Sequence, residues 1–214
     1  MHLIDQRNHG RSFHSDDFNY EVMAQDVVDY CKDNNLENIV LLGHSMGGKT
    51  AMHVATQFPE LLSHLIVADI SPRFYPVHHD GILEGLNAID FKVCKSRGDA
   101  DKALSKHITS KPIRQFLLKN LYWKDNDTLA LRINLEVLTA QVAEVGEALP
   151  IQSKFNGPTL FLRGDKSEYI GLEDGDIIKR HFPSSTIETI ASAGHWLHAE
   201  NPEDFYKEVM RFLG

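Results

Sequence analysis

Short apolar runs alternate with amphipathic stretches in the first third of the chain. Asn38–Leu42 and Leu65–Ala68 are short, apolar and rich in β-branched residues, which is typical of buried parallel strands. Tyr20–Asn34 carries apolar side chains at helical spacing, and Gly48–Phe58 forms a second helical stretch that ends at Pro59. The order helix, strand, helix, strand predicts a parallel sheet.

The same alternation returns near the C-terminal end. Strands are predicted at Thr159–Leu162 and Thr186–Ile190, and helices at Asp174–His181 and Pro202–Leu213. Repeated strand and helix segments predict an α/β fold, with a mostly parallel sheet and helices on both of its faces.

Residues 71–150 separate these two halves and lack buried-strand runs. Helix-like stretches occur there instead, at Gly81–Ile89, Lys111–Asn120 and Asn134–Ala148. We therefore predict a single domain over residues 1–214. Its core would comprise residues 1–70 and 151–214, and residues 71–150 would form a helical lid insertion.

Length, charge and hydropathy narrow the class of protein. A length of 214 residues suits one compact domain. The net charge of -8, with no block of Lys and Arg, argues against nucleic-acid binding. No apolar run approaches the about 20 residues needed to span a bilayer, and Met1–Asp5 is too short and too acidic for a signal peptide. The expectation is a cytoplasmic protein without a membrane span.

The cysteines and histidines do not follow metal-site spacings. Cys31 and Cys94 lack a zinc-type pattern and are predicted to be reduced thiols. The pair His78–His79 is adjacent, and His195 to His198 lacks the acidic partner of a zinc-protease helix. No metal site is expected.

A glycine-flanked serine follows the first predicted strand directly. Gly43-His44-Ser45-Met46-Gly47 lies between that strand and a helix, and the two glycines give room for a sharp turn. Such a turn exposes the serine hydroxyl above the sheet edge. The motif predicts Ser45 as a nucleophile, with the backbone N–H of Met46 directed at a developing oxyanion.

A serine nucleophile needs a histidine base and an acid that orients it. His195 lies in a loop between the last predicted strand and the last helix, where the base of this chain order belongs. Asp69, Asp165 and Glu168 compete as the acid. Asp69 is favoured because it ends a strand at the same sheet edge as Ser45, but Asp165 and shared arrangements stay open.

Four segments carry a family resemblance: Asp5–Ser12, Gly43–Lys49, Asp69–Pro72 and Ala193–Glu200. Together they resemble the small YbfF-type bacterial esterases of the α/β-hydrolase superfamily, relatives of the eukaryotic abhydrolase domain-containing protein 11. The resemblance implies that Asp69 is the acid and that Ser167, at the usual acid position, joins its hydrogen-bond network. It also implies a helical lid, no cofactor, and a substrate site lined by His44 and Trp196.

The resemblance further implies structure before the segment Leu3–Ser12. The family begins with a hairpin, another strand and a His-Gly loop that supplies a second oxyanion N–H. We therefore expect this sequence to be N-terminally truncated, with N-terminal strands of the sheet missing and a first strand without its usual neighbour.

The leading functional hypothesis is hydrolysis of small-molecule acyl esters or acyl thioesters through an acyl-enzyme. One alternative is a non-catalytic or inactive binding protein of the same fold. Another is hydrolysis or lysis of C–C bonds, for which Arg73, Arg114 and Arg132 are candidate polar groups. The sequence leaves the oligomeric state open.

Overall fold

The computed structural model describes residues 1–76 and 80–214. The chain divides into two compact units, one of residues 1–19 and 76–146 and the other of residues 20–75 and 147–214. Residues 1–19 therefore group with the inserted segment, whereas the predicted division placed them in the core. His78 and His79, the pair considered for a metal site, lie outside the described residues.

The described residues form α-helices, β-strands and two short 3₁₀ turns. The α-helices are α1 (Tyr20–Asp33), α2 (Met46–Gln57), α3 (Asp80–Asn87), α4 (Arg97–Leu104), α5 (Lys111–Leu117), α6 (Leu135–Ala140), α7 (Val142–Gly146), α8 (Asp174–His181), α9 (Leu197–Glu200) and α10 (Pro202–Leu213). The strands are β1 (Ile39–His44), β2 (Leu62–Ala68), β3 (Leu121–Trp123), β4 (Leu129–Leu131), β5 (Thr159–Gly164) and β6 (Ser185–Ile190). Short 3₁₀ turns cover Pro59–Leu61 and Leu118–Asn120.

The larger unit, residues 20–75 and 147–214, contains a parallel sheet. Its strand order is β1-β2-β5-β6, and every neighbouring pair is parallel. His44 at the end of β1 lies beside Ala68, and Ala68 lies beside Leu162 of β5. The turns that follow these strands therefore emerge together at the carboxyl-end edge of the sheet, which is where α/β folds place their sites.

Helices cover both faces of this sheet, as predicted. Leu65, Val67 and Phe161 point to one face, where they pack with residues of α1, α2 and α8. Ile66 and Leu160, at the alternate positions, point to the other face and pack with α9 and α10. The period of two along each strand thus separates the two halves of the core.

The first strand is less buried than its apolar sequence indicated. Val40 and Leu42 are each 44% exposed, although Asn38–Leu42 was expected to form a fully buried strand. The cause is the strand order, because β1 lies at an edge of the described sheet. Only one of its long sides is paired, and Ile39 and Leu41 pack against the core on the alternate face.

The smaller unit, residues 1–19 and 76–146, has its own apolar core, formed mainly by α3, α4, α5 and the segment that follows α5. It also contains an antiparallel hairpin of β3 and β4, which the sequence did not indicate. These strands have three residues each, too few to show an alternating pattern. The helix α4 also escaped prediction because its sequence is largely polar; Ser96 caps it by accepting the N–H of Asp99 at 3.1 Å.

Residues 1–19 form loops and turns. Asn8 organises this segment from a left-handed backbone conformation with φ 65°. Its side-chain amide donates to the carbonyl of Ser15, and its carbonyl oxygen accepts the N–H of Asn134 at 2.9 Å. The motif Asp5–Ser12 is therefore fixed to the start of α6.

The predicted helix positions agree well where end signals are strong. The helices α8 and α10 have the predicted bounds, and Asn201 caps α10. The stretch predicted as one helix at Asn134–Ala148 is divided into α6 and α7.

No helix within residues 1–76 and 80–214 is long and apolar enough to cross a membrane. Cys31 and Cys94 are buried and free.

Candidate active site

The turn from β1 into α2 holds Ser45 in a strained conformation. Its backbone has φ 54° and ψ -122°, a combination that costs a non-glycine residue about 1–3 kcal/mol. A Cβ on Gly43 would lie 2.1 Å from the carbonyl oxygen of Gly47, so the turn can close only around glycine. The Ser45 N–H donates to the carbonyl of Ala68 at 2.9 Å, which ties the turn to the end of β2.

His195 lies between Ser45 and Asp69. Its Nε2 is 3.0 Å from Ser45 Oγ, and its Nδ1 is 2.8 Å from Asp69 Oδ2. Because an ionised carboxylate only accepts hydrogen bonds, Nδ1 carries the proton of the neutral ring. The unprotonated Nε2 then faces the hydroxyl of Ser45, which is the arrangement a general base requires.

Asp69 follows β2 and is fully buried, with φ 53°. Its Oδ1 accepts the N–H of Gly164 at 3.1 Å. Its Oδ2 accepts a hydrogen bond from the hydroxyl of Ser167 in addition to the bond from His195. These donors offset the cost of burying the carboxylate charge. The structure thus brings together the four side chains that the sequence and the resemblance grouped as catalytic.

Asp165, the other acid candidate, has different partners. It is exposed and accepts the backbone N–H groups of Ser192 and Ala193 at 2.9 and 3.0 Å. These hydrogen bonds, that of Ser192 first, hold the pKa of Asp165 below its ordinary value. Glu168 is also exposed. Asp165 therefore secures the loop that carries His195, while the ring itself is paired with Asp69.

His44 supports the same loop from the end of β1. Its Nε2 lies 2.7 Å from the carbonyl oxygen of His195, so this nitrogen carries the proton and donates. Its ring also packs against His195 and His198, with centroids 4.7 and 4.8 Å apart. Burial, and secondarily the neighbouring His195, lower the pKa of His44 to about 4. His44 is therefore neutral at pH 7.

Close backbone packing brings the histidine loop to the end of β5. A Cβ on Gly164 would lie 2.3 Å from the carbonyl oxygen of Gly194, so a glycine is needed at this position. Trp196 is half-buried and follows His195 directly, immediately before α9. Met46 is the first residue of α2, and the first N–H groups of a helix have no partner within the helix.

The three arginines considered for C–C bond chemistry have structural partners. Arg73 forms an ion pair with the buried Asp174 at 3.1 Å, and its guanidinium lies 3.9 Å from the ring centroid of Tyr75. Arg114 pairs with Asp101 at 2.8 Å and also donates to two backbone carbonyls. Arg132 lies over the ring of Tyr122 at 4.5 Å. Their charges are therefore engaged in holding loops and helices.

Two further residues near the site escaped the sequence analysis. The ring of Tyr169 stacks on the ring of His195, with centroids 3.9 Å apart and planes inclined by 20°. Asp174 is buried and accepts hydrogen bonds from the Ser71 hydroxyl at 2.9 Å and the Gly171 N–H at 2.7 Å. For Tyr169, the available signal was its place two residues after Ser167.

Lys49, at the end of the serine motif, is fully buried, and no carboxylate in the described parts of the chain forms an ion pair with it. Its Nζ donates to the carbonyls of Arg73, at 2.7 Å, and Glu147. Burial lowers the pKa of Lys49 to about 7, an effect that the carboxylate of Glu147 partly opposes. Lys49 thus joins the two segments of the larger unit that flank the insertion. No cluster of three or more potential metal ligands occurs in the described parts of the chain.

Comparison with known proteins assigns the chain to a family. The sequence profile of the α/β-hydrolase fold matches residues 1–86. A protein of Haemophilus influenzae named as an esterase/lipase is 39% identical over 98% of this chain and 72% of its own length. The sn-1-specific diacylglycerol lipase ABHD11 of Mus musculus is 40% identical over 98% of this chain and 70% of its own.

A solved structure supports the same relationship. An esterase from a marine microorganism superposes with a TM-score of 0.95 and is 40% identical. The match covers 98% of this chain and 83% of the esterase. These relatives confirm the resemblance to the group that includes abhydrolase domain-containing protein 11.

Proposed function

This chain belongs to the α/β-hydrolase family and is a carboxylic ester hydrolase, and we propose that Ser45, His195 and Asp69 form its catalytic triad. The observation that carries the proposal is the continuous chain of contacts from Ser45 Oγ to Nε2 of His195 at 3.0 Å and from Nδ1 to Asp69 at 2.8 Å. The strained serine turn, closed around Gly43, supports the assignment of the nucleophile.

The acylation step follows from the positions of these atoms. Ser45 Oγ attacks the acyl carbonyl carbon while Nε2 of His195 takes the hydroxyl proton. The carboxylate of Asp69 stabilises the imidazolium that forms and keeps the ring in the required tautomer. As the tetrahedral intermediate collapses, Nε2 returns the proton to the leaving oxygen or sulfur, and the acyl group remains on Ser45.

The oxyanion of the intermediate is assigned to the N-terminus of α2. The N–H of Met46 is one donor for it, and the helix dipole adds to the favourable potential there. Water, activated by His195, then attacks the acyl-enzyme and releases the carboxylic acid. Thioesters fit the same scheme, because the chemistry at the carbonyl is unchanged and a thiolate leaves more readily than an alkoxide.

Ser167 is assigned a supporting part in this scheme. Its hydroxyl donates to the same carboxylate oxygen of Asp69 that accepts from His195. It also accepts the N–H of Tyr169 at 3.2 Å, which directs its own proton towards Asp69. The hydroxyl therefore holds the carboxylate in place. The proposed substrate-lining residues are His44 and Trp196, which adjoin Ser45 and His195 in the chain.

The direct test is covalent labelling with a fluorophosphonate, which reacts with an activated serine. We expect labelling of the unsubstituted chain at Ser45 and its loss in Ser45→Ala, together with loss of p-nitrophenyl ester and acyl-thioester hydrolysis. Removing a triad member of this kind costs about 10⁴-fold or more in kcat. Peptide mass spectrometry identifies the labelled residue.

The matched control is Ser105→Ala, which removes an exposed hydroxyl that donates to the carbonyl of Lys102. It should label and hydrolyse like the unsubstituted chain. Labelling that persists in a folded Ser45→Ala variant, or a folded unsubstituted chain that does not label, would overturn the proposal. The second result would favour a binding protein of the same fold.

A further inference from the structure

The stacked ring of Tyr169 has no part in the three-residue scheme above. Its centroid lies 3.9 Å from that of His195, and the two planes are inclined by only 20°. The imidazole therefore rests on the face of an aromatic ring, which carries partial negative charge. An imidazolium in this position is attracted to the ring more strongly than a neutral imidazole.

Hydrogen bonds hold both backbone polar groups of Tyr169 in place. Its N–H donates to Ser167 Oγ at 3.2 Å, and its carbonyl accepts a hydrogen bond from the hydroxyl of Tyr75. Tyr75 is fixed in turn, because its hydroxyl accepts the N–H of Ser71 at 2.8 Å. Its ring lies 5.5 Å from that of Tyr169. The aromatic face is thus held in place before any substrate binds.

The charged and ionisable groups around His195 determine how strongly a positive charge on its ring is stabilised. In the described part of the chain, Asp69 faces Nδ1 and the ring of His44 lies 4.7 Å away, with His198 beyond His44. His44 is neutral at pH 7, because burial lowers its pKa to about 4. The carboxylate and the face of Tyr169 are therefore the two features that favour a positive imidazole.

We propose that Tyr169 is a positioning residue for His195, whose ring face both fixes the imidazole plane and stabilises the imidazolium formed during acylation. The inference rests on the proposed function of His195 as the base. The ring keeps Nδ1 directed at Asp69 and Nε2 directed at Ser45, and no role is assigned to the phenolic hydroxyl. An aliphatic side chain could fill the same space but has no negative face.

The test compares Tyr169→Leu with Tyr169→Phe in pH profiles of kcat and KM on a p-nitrophenyl ester. For Tyr169→Leu we expect kcat to fall about tenfold with little change in KM, because a cation–aromatic contact can supply that much stabilisation. The acidic limb of the kcat/KM profile should move to lower pH by about one unit, because one unit corresponds to the same tenfold factor. Tyr169→Phe retains the aromatic face and should restore the original profile.

Tyr206→Leu is the matched control, since Tyr206 is 65% exposed on α10, and its profile should match that of the unsubstituted chain. The position of the limb does not depend on the amount of folded enzyme, so partial misfolding cannot imitate the effect. If Tyr169→Leu does not fold, Tyr169→Met gives the same comparison. An unmoved limb, or one displaced to higher pH, would overturn the inference. Hydrolysis by Ser45→Ala would instead overturn the proposed triad.

Discussion

Two aspartates follow neighbouring strands at the same edge of the sheet, and they serve different groups. Asp69 follows β2, is fully buried, and accepts from the side chains of His195 and Ser167. Asp165 follows β5, is exposed, and accepts only backbone N–H groups, from Ser192 and Ala193, among the hydrogen bonds described for its side chain. One carboxylate contacts the imidazole, and the other fixes the loop from which the imidazole projects.

The difference arises from strand order. β2 lies directly beside β1, so the turn at Asp69 is adjacent to the turn at Ser45. β5 is one strand further from β1 and pairs with β6. The turn after β5 therefore meets the chain that leaves β6, which begins the histidine loop. An acid residue at a strand end thus acquires its role from the neighbouring strand.

The largest loss of activity is expected for Asp69→Asn. The amide removes the charge that stabilises the imidazolium and can favour the wrong tautomer of His195, so kcat should fall by about 10⁴-fold. Glu168, exposed on the loop after β5, offers Glu168→Gln as a matched loss of one carboxylate without expected effect. Steady-state kinetics, with circular dichroism to establish folding, measure the difference.

A folded Asp69→Asn variant with more than about one tenth of the original kcat would contradict the assignment, because loss of the triad carboxylate costs far more than that. If Asp165→Asn showed the larger loss of the two, Asp165 would have to be the acid.

A smaller effect is expected for Ser167→Ala, which removes one donor from the buried carboxylate. Asp69 keeps its bonds from His195 and the Gly164 N–H, so kcat should fall about tenfold, the value of one hydrogen bond to a charged group. Ser167→Thr retains a hydroxyl and should recover part of the loss. Equal kcat values for the unsubstituted chain and Ser167→Ala would show that the hydroxyl does not support Asp69.

Ser45 and His195 could be predicted from the sequence because each lies in a local motif with a predicted strand before it and a helix after it. Asp69 and Asp165 both remained candidates for the acid, because each follows a predicted strand and the order of strands in the sheet cannot be deduced from local sequence patterns. The burial of β1 was misjudged for the same reason: its apolar residues do not show that it lies at an edge of the described sheet.

Tyr169 and Asp174 illustrate what local patterns cannot supply. The stacking of Tyr169 on His195 joins two loops that are 26 positions apart in the chain. Asp174 lies in the first turn of α8, where acidic residues are common because they interact favourably with the helix dipole. Its carboxylate is nevertheless buried and paired with Arg73. Both roles depend on tertiary contacts between segments with no shared sequence signal.

The smallest effect on activity is expected for Asp165→Asn, which weakens the attachment of the histidine loop. The N–H groups of Ser192 and Ala193 bond to different oxygens of Asp165, and an amide has an NH₂ group in place of one of these oxygens, so one of the two hydrogen bonds is lost. We expect kcat/KM to fall by less than about tenfold, because the His195 ring keeps its own partners. The free energy of unfolding should decrease at pH 7, as measured by urea denaturation.

The pH dependence of this decrease identifies its cause. Hydrogen bonds hold the pKa of Asp165 below its ordinary value of 3.8 in the folded chain, so its carboxylate favours folding above that pH. As the pH falls through the lowered pKa, the carboxylate becomes protonated and this stabilisation is lost. The difference in unfolding free energy between the unsubstituted chain and Asp165→Asn should therefore shrink below about pH 4.

Asp125→Asn, which removes an exposed carboxylate that accepts the Asp127 N–H at 3.0 Å, should show the same trend without any change in kcat/KM. A difference that stays constant from pH 7 into the acidic range would mean that the Asp165 charge does not hold the histidine loop.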